Sequence, residues 1–244
     1  MRTNILFCGD THGRLQHVVE VALGLRPMAV VLLGDIESPR PLHEELAPIR
    51  DLVWWIQGNH ETDSQTSWEN LYQSELAARC IDGKVVTLAD GTRLAGLGGV
   101  FRQEVWYPPD EARHASYGRW LESLQGGWQK RPSMFQSQRL KHQSTIFPDT
   151  YFNLARQQAD ILVSHEAGAC HHYGHHAIDE LASAMGVHAT FHGHLHQRPN
   201  YCSHWESLGF QTYGVGLRGI SGRGGEVVVA GELDEQRAGR GRVR

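Results

Sequence analysis

The apolar positions fall into short runs separated by helix-like stretches. Asn4 to Cys8 is an apolar run that stops at Gly9, and the residues from about Leu15 to Leu25 carry apolar side chains at helical spacing. This predicts a strand, a loop and then a helix. The unit recurs: Met28 to Leu33 reads as a buried strand ending at Gly34-Asp35, and after a Pro-rich stretch Leu46 to Ile49 with Leu52 to Ile56 leads to Gly58-Asn59-His60. Lys84 to Leu88 and Arg93 to Leu97 flank Asp90-Gly91, a favoured hairpin dipeptide, and predict a β-rich second half. Periodicity fades from Phe101 to about Ala155, where Trp106, Tyr107, Trp120 and Trp128 are mixed with Pro108, Pro109, Pro132 and Pro148, as in a partly helical insertion. Regular structure resumes with a strand, Ile161 to Val163, ending at Ser164-His165. A helix from Ala177 to Met185 and a strand from Val187 to Phe191 follow, and that strand leads into Gly193-His194-Leu195-His196.

Strands alternating with helices imply parallel pairing, and such sheets gather ligands at the carboxyl ends of their strands. Asp10, Asp35 and Asn59 are therefore expected side by side. The fold class is α/β, with one domain over 1–233, an insertion at about 101–155, and an Arg/Gly-rich tail at 234–244 with too little apolar content to fold. The length suits one continuous α/β core.

Composition and charge change the picture in four places. A net charge of -4 argues against a surface built to coat nucleic acid, while leaving room for a local basic patch. Cys8, Cys80, Cys170 and Cys202 are far apart and form no paired motif, so they read as reduced cytosolic thiols. No stretch is long enough to span a membrane, and the N-terminal run reaches Asp10 too soon for a signal peptide, so a cytoplasmic protein is expected. Finally, there are sixteen histidines, more than half of them after residue 164, and histidine is the commonest metal ligand.

Asp10 and His12 alone are a weak signal, since an acid and a histidine two apart are more often a turn. Their company carries the argument: Asp35, Asn59 with His60, His165, and His194 with His196 each stand at the end of a predicted strand. Two divalent ions about 3.5–4 Å apart can hold a hydroxide between them and clamp a phosphate from both sides. A carboxylate must bridge them, for which Asp35 is the natural choice, and imidazoles with an amide oxygen complete shells suited to Mn, Fe or Zn type ions. Gly9, Gly34, Gly58 and Gly193 are expected to permit the sharp turn that aims each following side chain.

The order GDTHG, GDI, GNHE, SH and GHLH resembles the calcineurin-like metallophosphoesterase superfamily, over about residues 5 to 200. That resemblance implies a four-layer α/β/β/α sandwich of two mixed sheets flanked by helices, with the metal site at the strand ends. It implies one metal held by Asp10, His12, Asp35 and His196 and another by Asp35, Asn59, His165 and His194, with Mn expected first and Fe, Zn, Co or Ni as alternatives. A metal-bridging hydroxide would attack phosphorus and His60 would act as general acid.

The GDTHG and GNHE forms are similar to the branch containing Ser/Thr protein phosphatases and diadenosine tetraphosphatases. That branch reads GDxxDRG at the second block, whereas GDIESPR lacks the Asp-Arg pair, and Asp63 stands where an Arg commonly follows GNHE. Arg102 is a candidate replacement as a phosphate contact, beside Asn59, with an ordinary surface arginine as the alternative.

Phosphomonoester hydrolysis is preferred. The substrate would be a phosphorylated small molecule, nucleotide or phosphoprotein. A phosphodiesterase or nuclease is the second reading, and a non-catalytic binding module of the same fold the third. The stretch from Trp128 to Thr145, with Lys130, Arg131, Arg139 and Lys141 around Phe135, can follow nucleic acid, although a solvated lid face is preferred. His171, His172, His175 and His176 can serve a third metal, a proton relay or phosphate, but read first as an exposed polar loop, and His192 as packed.

Overall fold

The computed structural model describes residues 5–124 and 132–234. The first three predicted strands are β1 (Ile5–Cys8), β2 (Ala29–Leu32) and β3 (Val53–Trp55), paired in parallel with Ile5 opposite Ala29 and Val30 opposite Val53. Their side chains alternate between two apolar environments, and for that reason the runs are continuously hydrophobic. Ile5 and Phe7 of β1 point into an inner cluster with Val163 and Phe191, while Leu6 and Cys8 meet Val18, Val19 and Ala22 of α1 (Gln16–Leu25) on the other face. The third unit departs from the expected pattern. Ala47–Leu52 is a 3-10 turn with proline in its first turn, and only three residues remain for the strand.

The hairpin at Asp90-Gly91 forms as predicted, with β4 (Lys84–Thr87) antiparallel to β5 (Arg93–Leu97) and Gly91 at φ 87. It opens a second sheet in which β5, β6 (Ile161–Ser164), β7 (Ala189–His192) and β8 (Gln211–Gly214) run parallel. The first sheet is completed by antiparallel β9 (Ile220–Gly222) and β10 (Val227–Val229), giving the order β10-β9-β1-β2-β3 beside β4-β5-β6-β7-β8. Strands β8 to β10 are not anticipated by the sequence pattern. Neither are α2 (Leu42–Glu45), α3 (Gln65–Tyr72) and α8 (Trp205–Leu208).

The two sheets pack face to face, and Phe7 stacks on Phe191 across the gap with ring centroids 3.7 Å apart. Burying each ring is worth about 1.5–3 kcal/mol. On the outer face of the second sheet, Tyr151 and Leu154 of α6 (Pro148–Ala155) and Leu181 and Met185 of α7 (His176–Met185) close another core. The layers are helix, sheet, sheet, helix. Between β5 and β6 the chain also forms α4 (Tyr117–Ser123), capped by the Ser116 hydroxyl, and α5 (Pro132–Lys141). Of the basic segment, Trp128, Lys130 and Arg131 lie outside the described residues, as does the tail beyond Asp234. No helix among the described residues is long and apolar enough to cross a membrane.

Candidate metal centre

Five strands end on one edge of the sandwich. The loop after β1 carries Asp10 and His12, that after β2 Asp35, that after β3 Asn59 and His60, that after β6 His165, and that after β7 His194 and His196. The loops turn on the functional residues themselves. Asp10, His12, Asp35, Glu37, His194 and His196 all have positive φ, between 32° and 65°, a conformation costing about 1–3 kcal/mol each outside glycine. The expectation that the preceding glycines make these turns therefore needs correction. Of the four, only Gly34 has positive φ, whereas the others give room: a Cβ on Gly193 would lie 2.6 Å from Asp10 Oδ1, and one on Gly58 would run into Asp35.

The imidazoles and carboxylates form two groups that share Asp35. In one, donor atoms of His12, Asp35 and His196 lie within 4.8 Å of one another, and in the other those of Asp35, His165 and His194 do. His12 Nε2 and His196 Nε2 are 3.1 Å apart, and His196 Nε2 is 3.9 Å from Asp10 Oδ2. On the other side His165 Nε2 lies 3.4 Å from Asp35 Oδ1 and 3.3 Å from Asn59 Oδ1. His165 Nδ1–H donates to the Leu33 carbonyl at 2.8 Å, which turns Nε2 toward the cluster.

Divalent cations fit these residues. Asp10 is fully buried; its Oδ1 accepts from the His194 N–H at 2.9 Å, but among the described residues its Oδ2 accepts no hydrogen bond. Burial pushes the Asp10 carboxyl up to about 7. Burial opposes a charge on His165, yet the Asp35 and Asp10 carboxylates outweigh it and push that imidazole up to about 10. The same pairing holds Asp35 well below the usual carboxylate range despite its burial. Such an excess of buried negative charge is what a cation neutralises. Burial keeps His194 neutral, down to about 3, and lowers His196, so both offer lone pairs.

Four acids that sequence reasoning left without a role hold this constellation. Glu61 is fully buried and its carboxylate accepts from the N–H groups of Asp35, Ile36, Glu37 and Gly58, tying the loops after β2 and β3 together. Burial and the Asp35 charge push Glu61 up to about 7, against those donors. Glu37 holds His12 through Nδ1. Asp63, noted in the sequence only for not being an arginine, accepts from His60 Nδ1 at 2.6 Å. Glu37, His60 and Asp63 also lie within 4.8 Å of one another. Glu166 accepts from the Phe101 N–H and reaches within 3.8 Å of His175 and 4.0 Å of His194.

Arg102 is not an ordinary surface arginine. Its guanidinium donates to the Ser144 carbonyl and hydroxyl at 3.2 and 3.3 Å, and Ser144 Oγ bonds Thr62 Oγ1 at 2.7 Å, beside the His60 turn. The expectation of an exposed histidine loop holds for only half of it. His172 and His176 are exposed, whereas His171 and His175 are buried, and the His175 ring packs against Phe101 and Tyr107. Burial also lowers His175, as expected of a packed imidazole. His192 is packed as expected, 2% exposed and 3.2 Å from the Tyr201 hydroxyl.

Comparison with known proteins agrees with this geometry. Residues 3–198 match the sequence model of the calcineurin-like phosphoesterase family. The chain is 33% identical over 224 residues to an uncharacterized protein of Haemophilus influenzae, covering 89% of this chain and 92% of that protein. It superposes on the crystal structure of TT1561 of Thermus thermophilus with a TM-score of 0.56 at 14% identity, over 93% of this chain and 97% of that one. A second solved structure superposes with a TM-score of 0.52 at 11% identity, over 95% of this chain and 99% of that one. These two likenesses show a common fold. The chain belongs to the calcineurin-like phosphoesterase family. It is a metallophosphoesterase, a hydrolase of phosphoric ester bonds that uses divalent metal.

Proposed function

We propose that this enzyme hydrolyses phosphate monoesters, with two divalent cations held on either side of Asp35. The single observation that carries the two-cation reading is the sharing of Asp35 between two histidine groups, with His60 beside it, while the monoester preference rests on the resemblance of GDTHG and GNHE. One cation would take Asp10, His12, Asp35 and His196, and the other Asp35, Asn59, His165 and His194. When bound, the pair supplies Lewis acidity that activates water and neutralises charge developing on the phosphoryl oxygens. The mixed carboxylate, amide and imidazole donors suit Mn first, with Fe, Zn, Co or Ni as alternatives.

The chain's own residues supply orientation and a proton. The Asp35 carboxylate accepts the His60 N–H at 3.0 Å, which fixes the acid's backbone beside the cluster. Burial opposes protonation of His60, but the hydrogen bond to Asp63 together with the charges of Asp35, Asp63 and Glu37 outweighs it and raises the imidazole above the ordinary value. With Nδ1 engaged by Asp63, Nε2–H is the proton available to a leaving oxygen. Asn59 and Arg102 would grip the phosphate. Support for the branch with Ser/Thr protein phosphatases and diadenosine tetraphosphatases comes from GDTHG and GNHE and is weakened by GDIESPR and Asp63. Free thiols at Cys8, Cys80, Cys170 and Cys202 favour a cytoplasmic setting.

Turnover of nitrophenyl phosphate, bis-nitrophenyl phosphate and a labelled oligonucleotide under Mn tests the reading. Faster cleavage of the monoester is expected. Preference for either diester would replace it with the phosphodiesterase reading.

A further inference from the structure

A general acid stands next to the atom that leaves, so whatever lies beyond His60 receives the rest of the leaving group. Two segments tied to the His60 turn lead away from it. α3 begins at Gln65, two residues after Asp63, and Gln143 immediately precedes Ser144, the residue bonded to Thr62. Between them, α3, α4 and α5 enclose a cavity of about 250 Å³, lined by Gln65, Trp68, Tyr117, Gln136, Arg139 and Gln143.

These side chains have a consistent chemistry. One face of the Trp68 indole is stacked on Tyr72, with centroids 3.7 Å apart, so the indole is held as a rigid plate beside the cavity. Tyr117 is fixed by its hydroxyl, which donates to the Arg139 carbonyl and accepts from Gln143 Nε2, each at 3.0 Å. Gln65 and Gln143 spend amide N–H groups on Glu69 and Tyr117 and keep their carbonyl oxygens. Among the described residues, neither the Gln136 amide nor the Arg139 guanidinium has a hydrogen-bond or ion-pair partner, although Arg139 lies 5.6 Å from the Phe135 ring centre. A flat aromatic plate, amides offering both donors and acceptors, and a cation form a set that complements a planar heterocycle bearing donors and acceptors of its own. The volume is below the range that takes a drug-sized ligand whole and suits one ring system.

We infer that this cavity is the leaving-group subsite and takes a nucleobase, so that the substrates are nucleoside monophosphates. The inference rests on the monoester reading above and names its substrate class. In the reaction, water oxygen bonds to phosphorus as the bond from phosphorus to the ribose oxygen breaks. The electron pair departs on that oxygen, which takes the His60 proton, and phosphate and a nucleoside are released.

The test compares kcat/KM for adenosine and guanosine monophosphates, glycerol phosphate and glucose phosphate, under one metal loading, in the wild type, Trp68→Leu and Arg139→Gln. Arg139 is exposed on α5, so its replacement leaves the fold intact. One base stack predicts about a tenfold preference for nucleotides, lost in Trp68→Leu and reduced in Arg139→Gln, with glycerol phosphate unchanged within about twofold. Quenching of tryptophan fluorescence by adenosine, present in the wild type and reduced in Trp68→Phe, reads the same cavity without turnover. Equal kcat/KM across the esters, equal losses for all of them in Trp68→Leu, or a glucose phosphate preference that this variant removes would each overturn the nucleobase assignment. If no ester is turned over, the monoester reading fails, and the fluorescence titration still decides the cavity's occupant.

Discussion

Replacing Glu61 by glutamine probes the strut of the candidate metal centre. Oε1 of the carboxylate accepts the Ile36 and Glu37 N–H groups, and Oε2 accepts those of Asp35 and Gly58. A glutamine keeps one oxygen and turns an NH2 toward the other two donors, which then have no acceptor in a fully buried place. At about 1–3 kcal/mol for each stranded donor, the loss is about 2–6 kcal/mol. Since a domain holds about 5–15 kcal/mol in total, Glu61→Gln remains folded at low temperature but is measurably weakened. Because the stranded donors belong to Asp35 and its neighbours, metal affinity falls too, by about 10–100-fold as for other groups that orient ligands. Urea unfolding of the metal-free protein reads the first effect, and metal content after dialysis reads the second. A loss below about 0.5 kcal/mol, the range of ordinary surface changes, together with undiminished metal content, would refute this account of Glu61.

Other perturbations address separate parts of the site. Asp35→Asn should abolish turnover and deplete bound metal at both positions, measured by elemental analysis of the dialysed protein. His60→Asn should lower kcat by about 10²–10⁴ for an alkyl phosphate and much less for nitrophenyl phosphate, whose phenolate departs without a proton; equal losses on both esters would exclude the acid role. Arg102→Gln should raise KM for phosphate esters about tenfold with the circular dichroism unchanged, and unaltered kcat and KM would remove it from the phosphate site. His142 is 2% exposed, packed on Trp120, and lowered to about 4 by burial and then by Lys141. Its neutral form is the folded one, so stability is full above pH 6.5 and falls as pH drops toward 4, by up to about 3 kcal/mol. In His142→Phe the acid loss of stability over that window, followed by urea unfolding, should shrink correspondingly.

The parts of the candidate site that can be read along the chain are those in which a proposed ligand directly follows its strand. Val30 to Leu33 runs straight into Gly34-Asp35, and Ile161 to Ser164 into His165, so the apolar run and the chemistry share one local pattern. What holds the proposed ligands is read poorly, because its contacts cross the sequence. Glu61 is visible in GNHE, but its partners Asp35, Ile36 and Glu37 are 24 to 26 residues away and meet it only once β2 and β3 pair. The His171 to His176 segment looks uniformly polar, yet His175 is buried by rings at 101 and 107 that no local pattern connects to it. Strands β8 to β10 are three or four residues long and include Gly214 and Gly222, too short for a period to register. The glycines are visible in the sequence, but the space that Gly58 leaves for Asp35 exists only in three dimensions.

The central claim is that Asp35 joins two cations that the reaction requires. Elemental analysis of protein purified and dialysed in Mn, run beside phosphoester turnover before and after chelation, tests it directly. The account predicts about two ions per chain, loss of turnover as they are stripped, and recovery on returning Mn. Full turnover by protein carrying far less than one ion per chain would contradict it.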